Sequence, residues 1–170
     1  ADGAAATILS QTSDNIGILS THLHSEGKYL KELWVEAPSS KANPKLNQDI
    51  IDKGKHFLKM NGREVFKHAV KRFPEVIIEA LDYNNLNIDD IDLLIPHQAN
   101  IRISSMIQKK LGLEDNQVIS NIHNYGNTTA ASIPIALCES INNNKLSKGD
   151  TLVLAAFGSG FSWGSAILKW

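Results

Sequence analysis

His97, Asn127 and the Gly158-Ser159-Gly160 turn are the residues of this chain whose types and placement suit shared chemistry. An imidazole changes charge near neutral pH and can give or take a proton. A carboxamide N–H, or a backbone N–H left open by flanking glycines, can hold an oxygen on which negative charge develops. His97 opens His97-Gln98-Ala99-Asn100, just past Pro96 and the strand-like Ile91-Asp92-Leu93-Leu94-Ile95. Asn127 lies in Asn124-Tyr125-Gly126-Asn127-Thr128-Thr129, and the glycine turn follows a further apolar run. Loops that follow strands line one rim of a layered α/β sheet, which is where such folds gather catalytic groups. A nucleophile is missing from the set.

Each group also has a local reading. Asn127 after Gly126 suits an N-cap with a tight turn. Ser159 invites a nucleophile reading, but a strand follows it, so the strand-to-helix elbow of serine hydrolases is absent. A backbone oxyanion donor suits it better. Cys138 follows Ile135-Ala136-Leu137 in a helical stretch with no basic activator, and is read as structural. His22 and His24 flank Leu23 and share one strand face, yet no third ligand is placed, so no metal site is assigned. His123 is expected in a loop or just behind the site residues, and His56 and His68 belong to a basic segment.

The elements that must position these groups follow from periodicity. Strands are predicted at Ala5–Leu9, Ile16–His24 and Leu30–Val35, with a hairpin-like reversal at Ser25-Glu26-Gly27. Residues 38–47 form a polar loop. Residues 61–83 carry the apolar spacing of an amphipathic helix, with a kink or break expected near Phe73 because Pro74 follows it. Further helices are expected at Ile101–Leu111 and Thr128–Ile141, with strands at Val118–Ser120, Thr151–Phe157 and Ser162–Leu168. The pattern predicts a layered α-β-α unit with a mixed sheet.

Composition narrows the class. The 170 residues are 42% hydrophobic and 21% charged, with a net charge of −1, which suits one soluble domain and gives no reason to expect nucleic acid. Between Lys53 and Arg72 seven basic residues face Glu64 alone, either a solvated helix face or a docking surface for an acidic partner. A single cysteine excludes an internal disulfide and fits a reducing cytoplasm. No apolar stretch reaches the ~20 residues that span a bilayer. The opening Ala1-Asp2-Gly3-Ala4 has no initiator Met and reads as cut from something longer.

Three stretches carry a resemblance: Ile95-Pro96-His97-Gln98-Ala99-Asn100-Ile101-Arg102, Tyr125-Gly126-Asn127-Thr128-Thr129-Ala130-Ala131-Ser132-Ile133-Pro134 and Phe157-Gly158-Ser159-Gly160-Phe161-Ser162-Trp163-Gly164. Together they resemble the C-terminal half of the β-ketoacyl-acyl-carrier-protein synthase III family, the thiolase-fold condensing enzymes that initiate type II fatty-acid synthesis. The resemblance implies that residues 1–12 are the last strand of the N-terminal half and 13–170 the C-terminal half. It implies a Cys-His-Asn triad in which His97 and Asn127 are two members and the cysteine belongs to the other half, so that this chain alone is inactive. Ser159 N–H then supplies an oxyanion donor, and Met60, Gly62, Phe66, Ala99 and Asn100 line the pantetheine tunnel. Gln98, Ala99, Asn100, Ile101 and Arg102 form the carrier-protein-binding segment, joined by Arg63, Lys67, Lys109 and Lys110. No cofactor or metal is implied; the substrates are an acyl-CoA, such as acetyl-CoA, and malonyl-acyl carrier protein. The implied partners are acyl carrier protein, the N-terminal half and a second copy of the protein, in the cytoplasm.

Two other readings stay open on sequence. One is a sister condensing enzyme with the same triad, such as a polyketide-type synthase. The other is a non-catalytic binding module, if the chain is complete as written. Elongating synthases use two histidines, and thiolases place a second cysteine near the final glycine turn, so neither pattern fits.

Overall fold

The computed structural model describes residues 1–170. Eleven strands and helices follow one another: β1 (Gly17–Ser25), β2 (Leu33–Val35), α1 (Gln48–Asp52), β3 (Leu58–Met60), α2 (Gly62–Tyr83), β4 (Leu93–Pro96), α3 (Ile101–Leu111), α4 (Ile122–Tyr125), α5 (Ser132–Asn142), β5 (Thr151–Gly158) and β6 (Ser162–Lys169). The main sheet has the order β1-β6-β5-β4, with β4 parallel to β5 and the other pairs antiparallel, as a mixed sheet requires.

β4 is buried at all of its positions, the mark of a strand covered on both faces. Leu94 joins Phe73, Ile77 and Leu81 of α2 and Ile103 and Ile107 of α3 on one face. Leu93 and Ile95 alternate to the other face, against Ala136 of α5 and Leu152 of β5. Helices therefore cover both faces, the α-β-α layering expected. Each large aliphatic side chain fully buried this way contributes about 1.5–3 kcal/mol of transfer free energy.

Four sequence expectations change. Ala5–Leu9 forms no strand: residues 1–16 lie outside any sheet and Ile8 is 94% exposed, because no neighbouring edge takes up their backbone groups. The hairpin after β1 is absent. Glu26 and Phe161 instead exchange two backbone hydrogen bonds, at 2.8 and 3.1 Å, which continue the β1–β6 pairing. The chain then turns through a 3-10 segment, Gly27–Glu32, so only Leu33–Val35 of the expected third strand remains, paired with β3 in a separate two-stranded sheet. Third, α2 runs unbroken through Pro74. Proline has no N–H for the carbonyl four residues back, and that carbonyl, Val70 O, accepts a hydrogen bond from Lys110 Nζ of α3 at 2.9 Å.

The fourth change matters most for function. The strand expected at Val118–Ser120 shrinks to one parallel bridge with Leu94. Leu94 N donates to Gln117 O at 2.7 Å and accepts in turn, through its carbonyl, from Ile119 N at 3.0 Å. The next rung would need an N–H from residue 96, which is proline. The Gln98 side chain takes over at that point. Its Nε2 donates to Pro96 O at 2.7 Å and Ile119 O at 3.2 Å, and its Oε1 accepts from Asn121 N at 3.1 Å. This corrects the assignment of Gln98 to a carrier-binding surface: at 1% exposure its side chain has nothing to offer a partner protein.

Replacing Gln98 with leucine leaves three buried backbone groups unpaired, at about 1–3 kcal/mol each for a buried orphan. Urea denaturation of Gln98→Leu is expected to show a loss of roughly 3 kcal/mol or more; a change within about 0.5 kcal/mol, typical of a surface site, would contradict the bridging role.

Candidate active site

The backbone of His97 is fixed first. His97 N donates to Ala155 O of β5 at 2.8 Å, carrying the parallel ladder one residue past β4. Its ring, half-buried, turns toward the first residue of α5, where Nδ1 lies 2.6 Å from Ser132 Oγ. The same hydroxyl accepts from Gln98 N at 3.3 Å. Burial pushes the His97 pKa below its ordinary value of 6.5, so the ring is neutral at pH 7. As pH falls through 6.5 the unfolded chain binds the proton first, so this ring disfavours the folded state there and is without effect well above it.

Asn127 sits on the loop that follows α4. Its Oδ1 accepts from Thr129 N at 2.8 Å, closing a local Asx turn; the helical segments that follow are capped at Thr128 and Ala131, so Asn127 is not the helix N-cap expected of it. That bond also fixes the amide: the oxygen faces the backbone and Nδ2 carries the free N–H groups. Thr129 has φ of +52°, a left-handed conformation that a β-branched residue adopts at a cost of order 1–3 kcal/mol. A network behind the loop holds it. Tyr125 Oη donates to Glu139 Oε1, and Asn121 Nδ2 donates to Glu139 Oε2 at 2.8 Å. These two donors hold the Glu139 carboxyl below the usual carboxylate range.

His97, Asn127 and Ser159 all line one groove of about 1440 Å³ that is mostly apolar in lining. Ser159 lies in the turn between β5 and β6, and its N–H has no partner within the chain. Met60, Gly62, Phe66, Ala99 and Asn100 line the same groove, as do Arg63 and Arg102. Asn100 also caps α3, accepting from Arg102 N at 2.9 Å, and the Arg102 guanidinium lies 5.4 Å from the Phe66 ring centre.

Ile101, Lys67, Lys109 and Lys110 do not line the groove. They are exposed on α2 and α3, which pack side by side. Lys67 reaches Glu64 at 3.7 Å, and Lys110 is engaged with Val70 O. Cys138 is exposed on α5, away from the groove. His22 and His24 share the two oxygens of Glu79, at 3.3 and 2.6 Å, a hydrogen-bonded cluster that ties β1 to α2. No group of three or more His, Cys, Asp or Glu side chains is arranged to hold a metal ion.

Sequence reasoning missed Ser132, Thr129 and Glu139. Ser132 lay within a motif already singled out, Thr129-Ala130-Ala131-Ser132, but nothing in one sequence pairs it with a residue 35 positions earlier.

Comparison with known proteins agrees with the fold. A family described as 3-oxoacyl-[acyl-carrier-protein] synthase III, C-terminal, matches residues 81–170. The chain is 43% identical over 168 residues to the β-ketoacyl-[acyl-carrier-protein] synthase III of Clostridium perfringens, covering 99% of this chain and 51% of that protein. It is 44% identical over 169 residues to the enzyme of the same name from Clostridioides difficile, again covering 99% and 51%. Among solved structures, the synthase III of Thermus thermophilus superposes with a TM-score of 0.84 at 36% identity, over 95% of this chain and 49% of that one. The Aquifex aeolicus synthase III gives 0.82 at 35% identity, over 95% and 47%. These matches favour synthase III over the polyketide-type alternative. The chain spans about half the length of the curated relatives it matches. It belongs to the 3-oxoacyl-[acyl-carrier-protein] synthase III family and corresponds to the C-terminal half of its members.

Proposed function

We propose that the full-length protein joins a starter acyl group from an acyl-CoA, such as acetyl-CoA, to malonyl-acyl carrier protein with loss of carbon dioxide, initiating type II fatty-acid synthesis. The observation that carries this reading is that His97 and Asn127 line one groove, each with one side-chain atom, Nδ1 and Oδ1, already hydrogen-bonded to a neighbour. What each has left for the groove is a nitrogen: Nε2 of the ring and Nδ2 of the amide.

The starter rides as a thioester on a cysteine of the other half. The malonyl thioester oxygen accepts from His97 Nε2 and Asn127 Nδ2. As the bond to the carboxylate breaks, its electron pair flows into the thioester, carbon dioxide leaves, and the two donors hold the enolate oxygen. Loss of one such donor raises the barrier by about 3–4 kcal/mol. The enolate carbon then attacks the acyl carbonyl, whose oxyanion accepts from Ser159 N–H and from the N–H of the cysteine. Collapse expels the cysteine thiolate and releases the elongated carrier thioester. Neutral His97 suits the donor role, since burial disfavours its charged form.

Met60, Gly62, Phe66, Ala99 and Asn100 would hold the pantetheine arm, whose uncharged chain suits an apolar wall. Arg63, Lys67, Arg102, Lys109 and Lys110, with Ile101 beside them, form the docking surface for an acidic carrier protein. The other half of the protein would cover the open side of the groove, where Leu23 is 82% and Met60 60% exposed. The reading takes the protein as a cytoplasmic homodimer with no cofactor. No helix is long and apolar enough to cross a membrane. Without the nucleophilic cysteine, this half by itself is expected to be inactive.

Condensation by the full-length protein, measured with acetyl-CoA and malonyl-carrier protein, tests this. His97→Ala and Asn127→Ala are each expected to lower kcat about 100- to 1,000-fold. Undiminished condensation in both variants would refute the assigned roles.

A further inference from the structure

We propose that Ser132 is a positioning residue that holds His97 as the tautomer protonated on Nε2, and so makes the ring a donor toward the groove. The inference deepens the enolate reading above, and it stands on hydrogen-bond accounting around one buried hydroxyl.

Ser132 is 3% exposed, so its O–H has to find a partner inside the protein. Two groups lie within hydrogen-bond distance of Oγ. One is Gln98 N, at 3.3 Å, which can only donate. The other is His97 Nδ1, at 2.6 Å, which can donate or accept according to tautomer. If Nδ1 carried the proton, Oγ would accept twice and its own hydrogen would be stranded in a dry site, costing about 1–3 kcal/mol. If Nδ1 is bare, Gln98 N–H donates to Oγ and the O–H donates to Nδ1, leaving no group unpaired. The ring proton then resides on Nε2.

The arrangement is anchored at both ends. Ser132 opens α5 on the same buried face as Ala136, which packs on β4. Gln98 N belongs to the residue whose side chain bridges Pro96, Ile119 and Asn121. Neither can drift without unpairing buried groups, so the hydroxyl meets the ring at a fixed angle. The hydroxyl touches no reacting atom; it acts through His97.

The test uses the full-length protein with ¹⁵N-labelled histidine, read by long-range ¹H–¹⁵N correlation, with the His97 signals assigned by their loss in His97→Asn. The wild type is expected to show a bare Nδ1 and a protonated Nε2. In Ser132→Ala this bias is expected to weaken to a mixture of tautomers, and in Ser132→Cys, whose S–H is a weaker donor, to fall between the two. In parallel, kcat for carbon dioxide release from malonyl-carrier protein is expected to fall about tenfold in Ser132→Ala, the loss of roughly one hydrogen bond, with KM unchanged. A protonated Nδ1 in the wild type, or an unaltered tautomer in Ser132→Ala, would overturn the proposal. The wild-type spectrum decides the matter even if the alanine variant fails to fold. Absence of carbon dioxide release by a wild type that shows the Nε2–H tautomer would refute the enolate reading while sustaining the role of Ser132.

Discussion

A proline at the end of a buried parallel strand sets the terms for the rest of this site. Pro96 has no N–H, so the ladder between β4 and residues 117–121 stops where the chain enters the functional loop. The carboxamide of Gln98 makes up the missing rungs, holding Pro96 O, Ile119 O and Asn121 N in a place that water does not reach. Ending the strand frees the backbone to turn and present His97 at the sheet rim. Bridging the gap with a side chain keeps the two site loops in register. Asn121 passes the constraint on to Glu139, Glu139 to Tyr125, and Tyr125 lies two residues before Asn127. The two site loops therefore rest on a chain of polar groups that runs from Gln98 through Asn121 and Glu139 to Tyr125.

The second principle of the site is the removal of ambiguity. A neutral imidazole and a primary amide are each both donor and acceptor, and a groove offering both would stabilise an oxyanion poorly. Thr129 N–H occupies the Asn127 oxygen, and the Ser132 hydroxyl occupies His97 Nδ1. Both contacts come from the first residues after the Gly126 turn, a stretch of small side chains that lets α5 begin close to β4. The positive φ of Thr129 is part of that geometry. Its strain is offset by the hydrogen bond that its N–H makes to Asn127.

Much of the fold was legible because its signals are local. The apolar spacing of residues 61–83 and 101–111 predicted α2 and α3 to within a residue, and the two strands around Gly158-Ser159-Gly160 fell where the apolar runs end. What escaped was non-local. The hairpin at Ser25-Glu26-Gly27 failed because Glu26 pairs with Phe161, 135 positions away in the chain and invisible to periodicity. Pro74 did not break α2 because a lysine on another helix serves the carbonyl it orphans. The resemblance alone put Gln98 in a carrier-binding segment; the missing N–H of Pro96 explains its burial. The candidate site divides in the same way. His97, Asn127 and Ser159 were identified by type and by motif, whereas Ser132 and Glu139 act through partners that no single sequence names.

In the proposed function this half activates the malonyl group by holding its enolate, independently of the nucleophile in the other half. Carbon dioxide release from malonyl-carrier protein, measured on full-length protein whose nucleophilic cysteine is replaced by alanine, tests it most directly. Release is expected to continue without condensation, and adding His97→Ala to the same protein is expected to abolish it. Loss of release on replacing the cysteine alone, or release indifferent to His97, would contradict it.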